Sequence, residues 1–143
     1  MKFAPHAVAL LAGAASVLGF SPFDWFAVSL AALAVLIHLW SREEYSAFWL
    51  GFWFGLGMFG AGVSWVYVSL HRFGAMAAPL AALATLGFCA FLALFPALTG
   101  WAQARLRAPL AIPALWVFFE WLRGWILTGF PWLSIGTAAI DSP

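Results

Sequence analysis

Charged residues are scarce in this sequence. Among its 143 residues, lysine and arginine together number six and aspartate and glutamate five, while 66% of the residues are hydrophobic. A water-soluble domain has about a quarter of its residues charged, and this chain has too little polar surface to cover a globule of its size. The composition therefore excludes an ordinary soluble domain and predicts a protein whose solvent is lipid.

Cysteines, basic clusters and catalytic motifs are also rare or missing. The one cysteine, Cys89, lies inside an apolar run without a disulfide partner or metal co-ligands, as is typical of an inert thiol. Lysine and arginine form no stripe and the net charge is +1, which argues against nucleic-acid binding. No G-x-S-x-G, no H-E-x-x-H and no phosphate-binding loop of the G-x-x-x-x-G-K-[ST] type occurs. We therefore predict no catalytic residue, cofactor or metal site in this chain.

Long apolar runs separated by charged or turn residues make up most of the sequence. A helix needs about 20 mainly apolar residues to cross a bilayer. Runs of roughly this size predict helices at approximately 4–20, 25–40, 47–70, 77–101 and 110–128, with an interfacial segment at 129–143. We expect an all-α fold in which residues 1–143 form one polytopic transmembrane bundle of about five helices. A cleaved signal peptide is the alternative for the first run, although further runs follow it.

The third run carries glycines on one predicted helical face. Gly51, Gly55 and Gly62 follow one another at spacings of four and seven residues, which places them on the same side of a helix. Small residues allow the backbone of another helix to approach closely within a membrane. This face is therefore predicted to pack against a neighbouring helix.

The basic residues favour one orientation of the bundle. If successive loops lie on alternate faces of the membrane, one face receives Lys2, Arg42, Arg105 and Arg107. The other face receives Arg72 and Arg123. Because cytoplasmic loops are enriched in lysine and arginine, we expect a multi-pass protein whose N-terminus is cytoplasmic.

Glu120 and Arg123 are charged residues within the fifth apolar run. They are three residues apart, so both lie on one side of a helix and neutralise each other. A lone charge at membrane depth costs at least about 2.5 kcal/mol. The pair either positions a polar headgroup or braces the extracytoplasmic rim, or it is a structural pair that ties helices together.

Aromatic and basic side chains gather near the predicted extracytoplasmic face. Phe130 and Trp132 follow the fifth run, and the end of the third run carries Trp65, Tyr67, His71 and Arg72. Amphipathic rings suit an acyl chain that enters from the bilayer, and His71 and Arg72 suit a lipid phosphate. The alternatives are an ordinary aromatic belt and two side chains that only reach to water.

Several strings in this chain occur together and in the same order in a known family. They are GFSP at 19–22 with Asp24, GLGMFG at 55–60, SWVYVS at 64–69, FG at 73–74, PALW at 113–116, EWLRGW at 120–125, LTGFPWL at 127–133 and IDSP at 140–143. They resemble the bacterial apolipoprotein N-acyltransferases, and the resemblance covers the whole chain.

The resemblance implies a membrane bundle of about eight helices with a nitrilase-like domain inserted on the extracytoplasmic side. It implies transfer of an acyl chain from a phospholipid to a catalytic cysteine, and then to the diacylglyceryl-cysteine amine of an apolipoprotein. The family's cysteine, glutamate and lysine lie beyond Pro143, so we expect an N-terminal fragment that is inactive alone.

The same resemblance implies a bacterial inner-membrane location and an aromatic lateral opening that includes Phe130 and Trp132. The alternative functions are a non-enzymatic membrane scaffold or lipid-binding protein and, with least support, a small transporter. Transport would require paired polar sites or repeats, which the sequence lacks.

Overall fold

The computed structural model describes residues 4–126 and 132–138, and every regular element in these ranges is helical. The α-helices are α1 (Ala4–Ser16), α2 (Phe26–Trp40), α3 (Ala47–Gly62), α4 (Trp65–Val68), α5 (Ala78–Leu106), α6 (Ile112–Trp125) and α7 (Ile135–Ala138). Short 3-10 turns cover Val17–Gly19 and Pro109–Ala111, and a π-helical turn covers Ser69–Phe73. The all-α prediction is therefore confirmed for the described residues.

Helix length separates α5 from the other described helices. Its 29 residues extend about 44 Å at 1.5 Å per residue, and among the described helices it alone is long and apolar enough to cross a bilayer. The pair Ala47–Gly62 and Trp65–Phe73 passes the same test only when taken as one span. Since α1, α2 and α6 have 13, 15 and 14 residues, the expected five crossings are not confirmed.

The prediction of one continuous third helix over 47–70 was wrong. The structure ends α3 at Gly62 and resumes at Trp65 with a bend of 49°. Two glycines and a serine near this point, Gly60, Gly62 and Ser64, have weak helix propensity. Space beside Gly62 is filled by the side chain of Leu133. Weak local propensity and this long-range contact both favour a break here.

The fifth predicted helix, over 110–128, is shorter in the structure. Its first residues belong to the 3-10 turn Pro109–Ala111, and α6 ends at Trp125. Residues 127 and 128 lie outside the described ranges, as does most of the predicted interfacial segment at 129–143. The first, second and fourth helices begin and end within a few residues of their predicted bounds, except that α5 continues to Leu106.

Helix α3 forms the centre of the structure. It packs most extensively against α5 on one side and α1 on the other, while α2 rests on α1 and α6 rests on α5. The largest side chains that are fully buried come mainly from this helix and include Leu50, Phe54, Met58 and Phe59. The core of the described chain therefore lies between α1, α3 and α5, with α3 in the middle.

Glycines allow the backbones of these helices to touch. A Cβ built on Gly51 would collide with the backbone of Pro96, and one built on Gly55 would lie 2.6 Å from the Cα of Ala93. The predicted packing of this face against a neighbouring helix is thus confirmed for two of its three glycines. Gly62 differs, because it faces the side chain of Leu133 instead.

A second glycine contact joins α3 to α1 and is reciprocal. A Cβ on Gly57 would collide with the carbonyl of Leu10, and a Cβ on Gly13 would collide with the carbonyl of Phe54. Each glycine therefore makes room for the backbone of the opposite helix. Such close approach increases van der Waals contact, which is the main attraction between helices where lipid replaces water.

Buried polar groups join neighbouring helices at their ends. The Ser29 hydroxyl donates to the carbonyl of Ser16 at 2.6 Å and links α2 to α1. The Trp40 indole N–H donates to the carbonyl of Ala47 at 2.9 Å and links α2 to α3. Because a buried polar group without a partner costs about 1–3 kcal/mol, these bonds favour one arrangement of the loops.

The reciprocal glycine contact gives a test of this packing. We expect Gly57→Ala to lower the free energy of unfolding by about 1–3 kcal/mol, because overpacking forces the α1 and α3 backbones apart. The measurement is unfolding of the chain in detergent micelles by SDS titration, followed by circular dichroism.

Gly87→Ala is the matched control, since it makes the same change inside helix α5. A Cβ there meets no described atom within 4 Å, so the variant should gain up to about 1 kcal/mol of helix propensity. Equal stability of the two variants would show that the α1–α3 contact does not depend on glycine.

Candidate functional site

An aromatic cluster forms where the bend after α3 meets the segment 132–138, which we call the strap. The Trp132 ring lies 5.7 Å from the Trp65 ring at an interplanar angle of 34°, and 5.3 Å from the Phe88 ring at 80°. Tilted and edge-on ring pairs at these distances are favourable. Trp65, Phe88 and Trp132, here called the aromatic cluster, thus join α4, α5 and the strap.

The cluster has a buried side and an open side. Trp132 is partly buried and packs against the hydrophobic core, as does Phe88. Trp65 is 56% exposed because it begins α4 immediately after the bend. The open side of the cluster is therefore formed by the exposed part of Trp65.

The strap turns sharply after Trp132. Leu133 has a φ of 45°, a left-handed conformation that is uncommon for residues other than glycine. Its side chain fills the space that Gly62 leaves open. Two residues after Leu133, Ile135 is buried in the core. Contacts with the body of the structure thus hold the turn in place.

Glu120 receives two hydrogen bonds from the strap. The Ser134 hydroxyl donates to Oε2 at 2.9 Å, and the Ile135 backbone N–H donates to Oε1 at 3.0 Å. The Glu120 side chain is 15% exposed. Two consecutive residues of the strap therefore bind both carboxylate oxygens of Glu120 on α6.

Arg123 is the buried cation beside this carboxylate. Its Nη2 lies 3.8 Å from Glu120 Oε1, and its guanidinium carbon lies 5.0 Å from the centre of the Phe59 ring. The residue is only 4% exposed, and its Nε and Nη2 have no hydrogen-bond partner among the described residues. An ion pair and a cation–π contact therefore stabilise the charge.

A small cavity adjoins this pair. Its volume of about 10 Å³ is close to the minimum for one water molecule. The lining residues are Phe95, Pro96, Thr99, Trp116, Phe119, Glu120 and Arg123. It is too small for a phospholipid headgroup in this conformation.

His71 and Arg72 lie in the π-helical turn that follows α4. The His71 ring stacks on Tyr67 with centroids 5.6 Å apart, and its Nδ1 is 2.9 Å from the carbonyl oxygen of Met76. A carbonyl only accepts, so Nδ1 carries the proton in this contact. Arg72 is exposed and makes no hydrogen bond or ion pair with any described residue.

The structure brings some of the predicted site residues together and leaves others apart. Trp65 meets Trp132, Tyr67 meets His71, and Glu120 meets Arg123. Within the described ranges, no hydrogen bond or ion pair links the His71 turn to the Glu120 pair. Phe130 lies outside the described residues.

Phe88 and Ser134 were missed in the sequence. Phe88 is one aromatic residue in a long apolar run, and Ser134 bonds to a residue 14 positions away. Neither has a local signal that indicates its partner.

Among the described residues, no group of three or more histidine, cysteine, aspartate or glutamate side chains is placed to hold a metal ion.

Comparison with known proteins supports the resemblance seen in the sequence. A family model described as the apolipoprotein N-acyltransferase N-terminal domain matches residues 12–143. The apolipoprotein N-acyltransferase of Nitrosomonas europaea is 53% identical over 132 residues, which cover 87% of this chain and 27% of that protein.

Two further relatives with the same name give a similar result. The Coxiella burnetii protein is 47% identical over 145 residues, and the Pseudomonas aeruginosa protein is 45% identical over 147 residues. These matches cover 95% and 96% of this chain but only 30% and 29% of the relatives. The chain thus spans less than a third of the length of these relatives, and it belongs to the apolipoprotein N-acyltransferase family, whose N-terminal domain it matches.

Proposed function

We propose that this chain forms the leading part of the membrane domain of an apolipoprotein N-acyltransferase. The enzyme would transfer a fatty acyl chain from a phospholipid to the diacylglyceryl-cysteine at the N-terminus of an apolipoprotein. Family membership supports this reaction class. The structural observation that carries the role of this chain is the aromatic cluster, which is open on one side and fixed to the core on the other.

The chain contributes substrate binding in this proposal and no catalytic residue. Cys89 is buried, and its Sγ lies 3.5 Å from the carbonyl oxygen of Phe59. Among the residues that the structure describes, no base forms a hydrogen bond with Sγ to activate the thiol as a nucleophile. The nucleophile, the base and the lysine would lie outside residues 1–143, so the chain alone would be inactive.

The aromatic cluster suits the acyl chain of a lipid. Burial of each methylene group against apolar surface contributes about 0.8 kcal/mol, and the exposed face of Trp65 offers such surface beside Trp132. The proposal also keeps Phe130, which was predicted from the sequence, as a residue that contacts the acyl chain. An acyl chain that lies along the cluster would be held by dispersion and burial without any charged contact.

The turn after α4 suits the phosphate of the same lipid. Arg72 is exposed and without a partner among the described residues, and a guanidinium binds phosphate oxygens through paired N–H donors. His71 is fixed by Tyr67 and by the Met76 carbonyl, so its Nε2 points away from that contact. Both residues follow Trp65 in the same bent segment.

Of the roles predicted for Glu120 and Arg123, bracing is the one that the contacts favour. Both oxygens of Glu120 accept hydrogen bonds from the strap, and Arg123 is buried against Phe59. The adjoining cavity is too small for a headgroup. We therefore assign this pair to the support of the aromatic cluster.

We further propose that the chain crosses a bacterial inner membrane about five times with its N-terminus in the cytoplasm. The loop of Arg42 would then be cytoplasmic, and the turn of His71 and Arg72 would be exported. Helices α1, α2 and α6 extend only about 20–22 Å at 1.5 Å per residue. Their crossings require flanking turns and local thinning of the bilayer.

A chimaeric enzyme tests the proposed activity. This chain would replace the matched segment of the Nitrosomonas europaea relative, and acyl transfer from phospholipid to a diacylglyceryl peptide would be measured in membranes. We expect the chimaera to be active. An inserted but inactive chimaera would favour the scaffold or lipid-binding function instead.

Trp132→Ala in the active chimaera tests the aromatic cluster. We expect about a tenfold loss in kcat/KM, equivalent to about 1.4 kcal/mol, with unchanged membrane insertion. Trp101→Ala is the matched control, because Trp101 is a half-exposed tryptophan on α5 outside the cluster. The same turnover in both variants would rule out a role for Trp132 in substrate binding.

Cysteine labelling tests the proposed orientation. In a Cys89→Ala background, Glu44→Cys places one thiol at an exposed position between α2 and α3, and Phe73→Cys places one at the exposed end of the π-helical turn. A membrane-impermeant maleimide should label position 73 in intact spheroplasts and position 44 only after permeabilisation. The opposite pattern would place the N-terminus outside the cytoplasm.

A further inference from the structure

We propose that Glu120 is a positioning residue whose carboxylate holds the strap and thereby keeps Trp132 in the aromatic cluster. The inference rests on the proposed function in one respect, namely that Trp132 contacts a substrate. It concerns how that tryptophan is placed, which depends on the contacts of α6 with residues 134 and 135.

The Glu120 carboxylate is bonded to the strap at two points. Its two oxygens each accept one donor, the Ser134 hydroxyl at 2.9 Å and the Ile135 backbone N–H at 3.0 Å. One donor is a side chain and the other is main chain, and they belong to consecutive residues. Two such bonds fix the direction of the strap as well as its distance from α6.

Charge strengthens the two hydrogen bonds between Glu120 and the strap. Hydrogen bonds to an ionised carboxylate are about twice as strong as neutral ones, and this carboxylate is mostly shielded, with 15% of its side chain exposed. Arg123 lies 3.8 Å away and is held over the Phe59 ring of α3. The cation balances the carboxylate and leaves both of its oxygens available to the strap.

Trp132 lies close along the chain to the two residues that Glu120 binds. Trp132 precedes Ser134 by two residues, which span at most about 7 Å of extended chain. A carboxylate that fixes residue 134 therefore restricts residue 132 to a small volume. Leu133, seated against Gly62, narrows that volume further. Trp132 then has Trp65 and Phe88 within ring-contact distance.

Thiol labelling of the chain in membranes tests the placement without reference to activity. In a Cys89→Ala background, Ile135→Cys puts a thiol at a buried strap position, and Thr137→Cys puts one at an exposed strap position. We expect Glu120→Gln to increase the maleimide labelling rate at position 135 about tenfold, because an amide has one acceptor oxygen and its NH2 group cannot accept the second hydrogen bond. Labelling at position 137 should be unchanged. An unchanged rate at position 135 would overturn the proposal.

A double-mutant cycle in the active chimaera tests whether Glu120 acts through Trp132. We expect Glu120→Gln to raise KM for the phospholipid about tenfold and to change kcat less than twofold, as for a loss of binding alone. Ser134→Ala, which removes one of the two bonds, should give a smaller rise in KM.

The combined variant distinguishes positioning from a general structural role. If Glu120 acts through Trp132, the double variant Glu120→Gln with Trp132→Ala should have a kcat/KM no lower than that of Trp132→Ala alone. The effects of two substitutions that disturb the same contact do not add. Multiplicative losses would overturn the proposal while leaving the proposed function intact. An inactive unmodified chimaera would instead refute the proposed function, and the labelling result would still stand.

Discussion

The rest of the structure depends on the close approach of the α3 backbone to helices on both of its sides. Gly57 and Gly13 let α3 touch α1, and Gly51 and Gly55 let it touch α5. In lipid, apolar side chains gain little from meeting one another, because the solvent is equally apolar. Contact area and shape therefore decide the packing. The glycines provide both, while large residues of α3 such as Phe54 fill the remaining space.

This packing also determines where the candidate site lies. The C-terminal end of α3 is held on two sides, so the bend that follows it has a fixed starting point and Trp65 emerges at one place. Phe59, one turn earlier, provides the ring on which Arg123 rests. Gly62 leaves the space that Leu133 occupies. The strap, the aromatic cluster and the charged pair are thus all positioned from the last turn of one helix.

The sequence predicted the parts of this fold that have local causes. Apolar runs indicated the helices, and the spacing of Glu120 and Arg123 indicated that they form a pair, which the structure places 3.8 Å apart. The break after Gly62 was not predicted, because hydrophobicity continues across it and the competing contact comes from Leu133, far along the chain. Ser134 and Phe88 were missed for the same reason. The number of crossings was not established either, since composition measures apolarity and not the length of each helix.

Glu120 and Arg123 form a shielded charged pair in an otherwise apolar part of the chain. A buried ion pair seldom increases stability, because the loss of hydration offsets the attraction, and here two nitrogens of Arg123 lack hydrogen bonds among the described residues. Stability alone would favour apolar replacements for both residues. An apolar side chain at position 120, however, would leave the Ser134 hydroxyl and the Ile135 N–H without their acceptor. The carboxylate is needed because the strap presents two donors at one point, and the arginine is needed because the carboxylate is shielded from water. In the proposed role of Glu120, the geometry of the strap therefore accounts for the pair better than the stability of the bundle does.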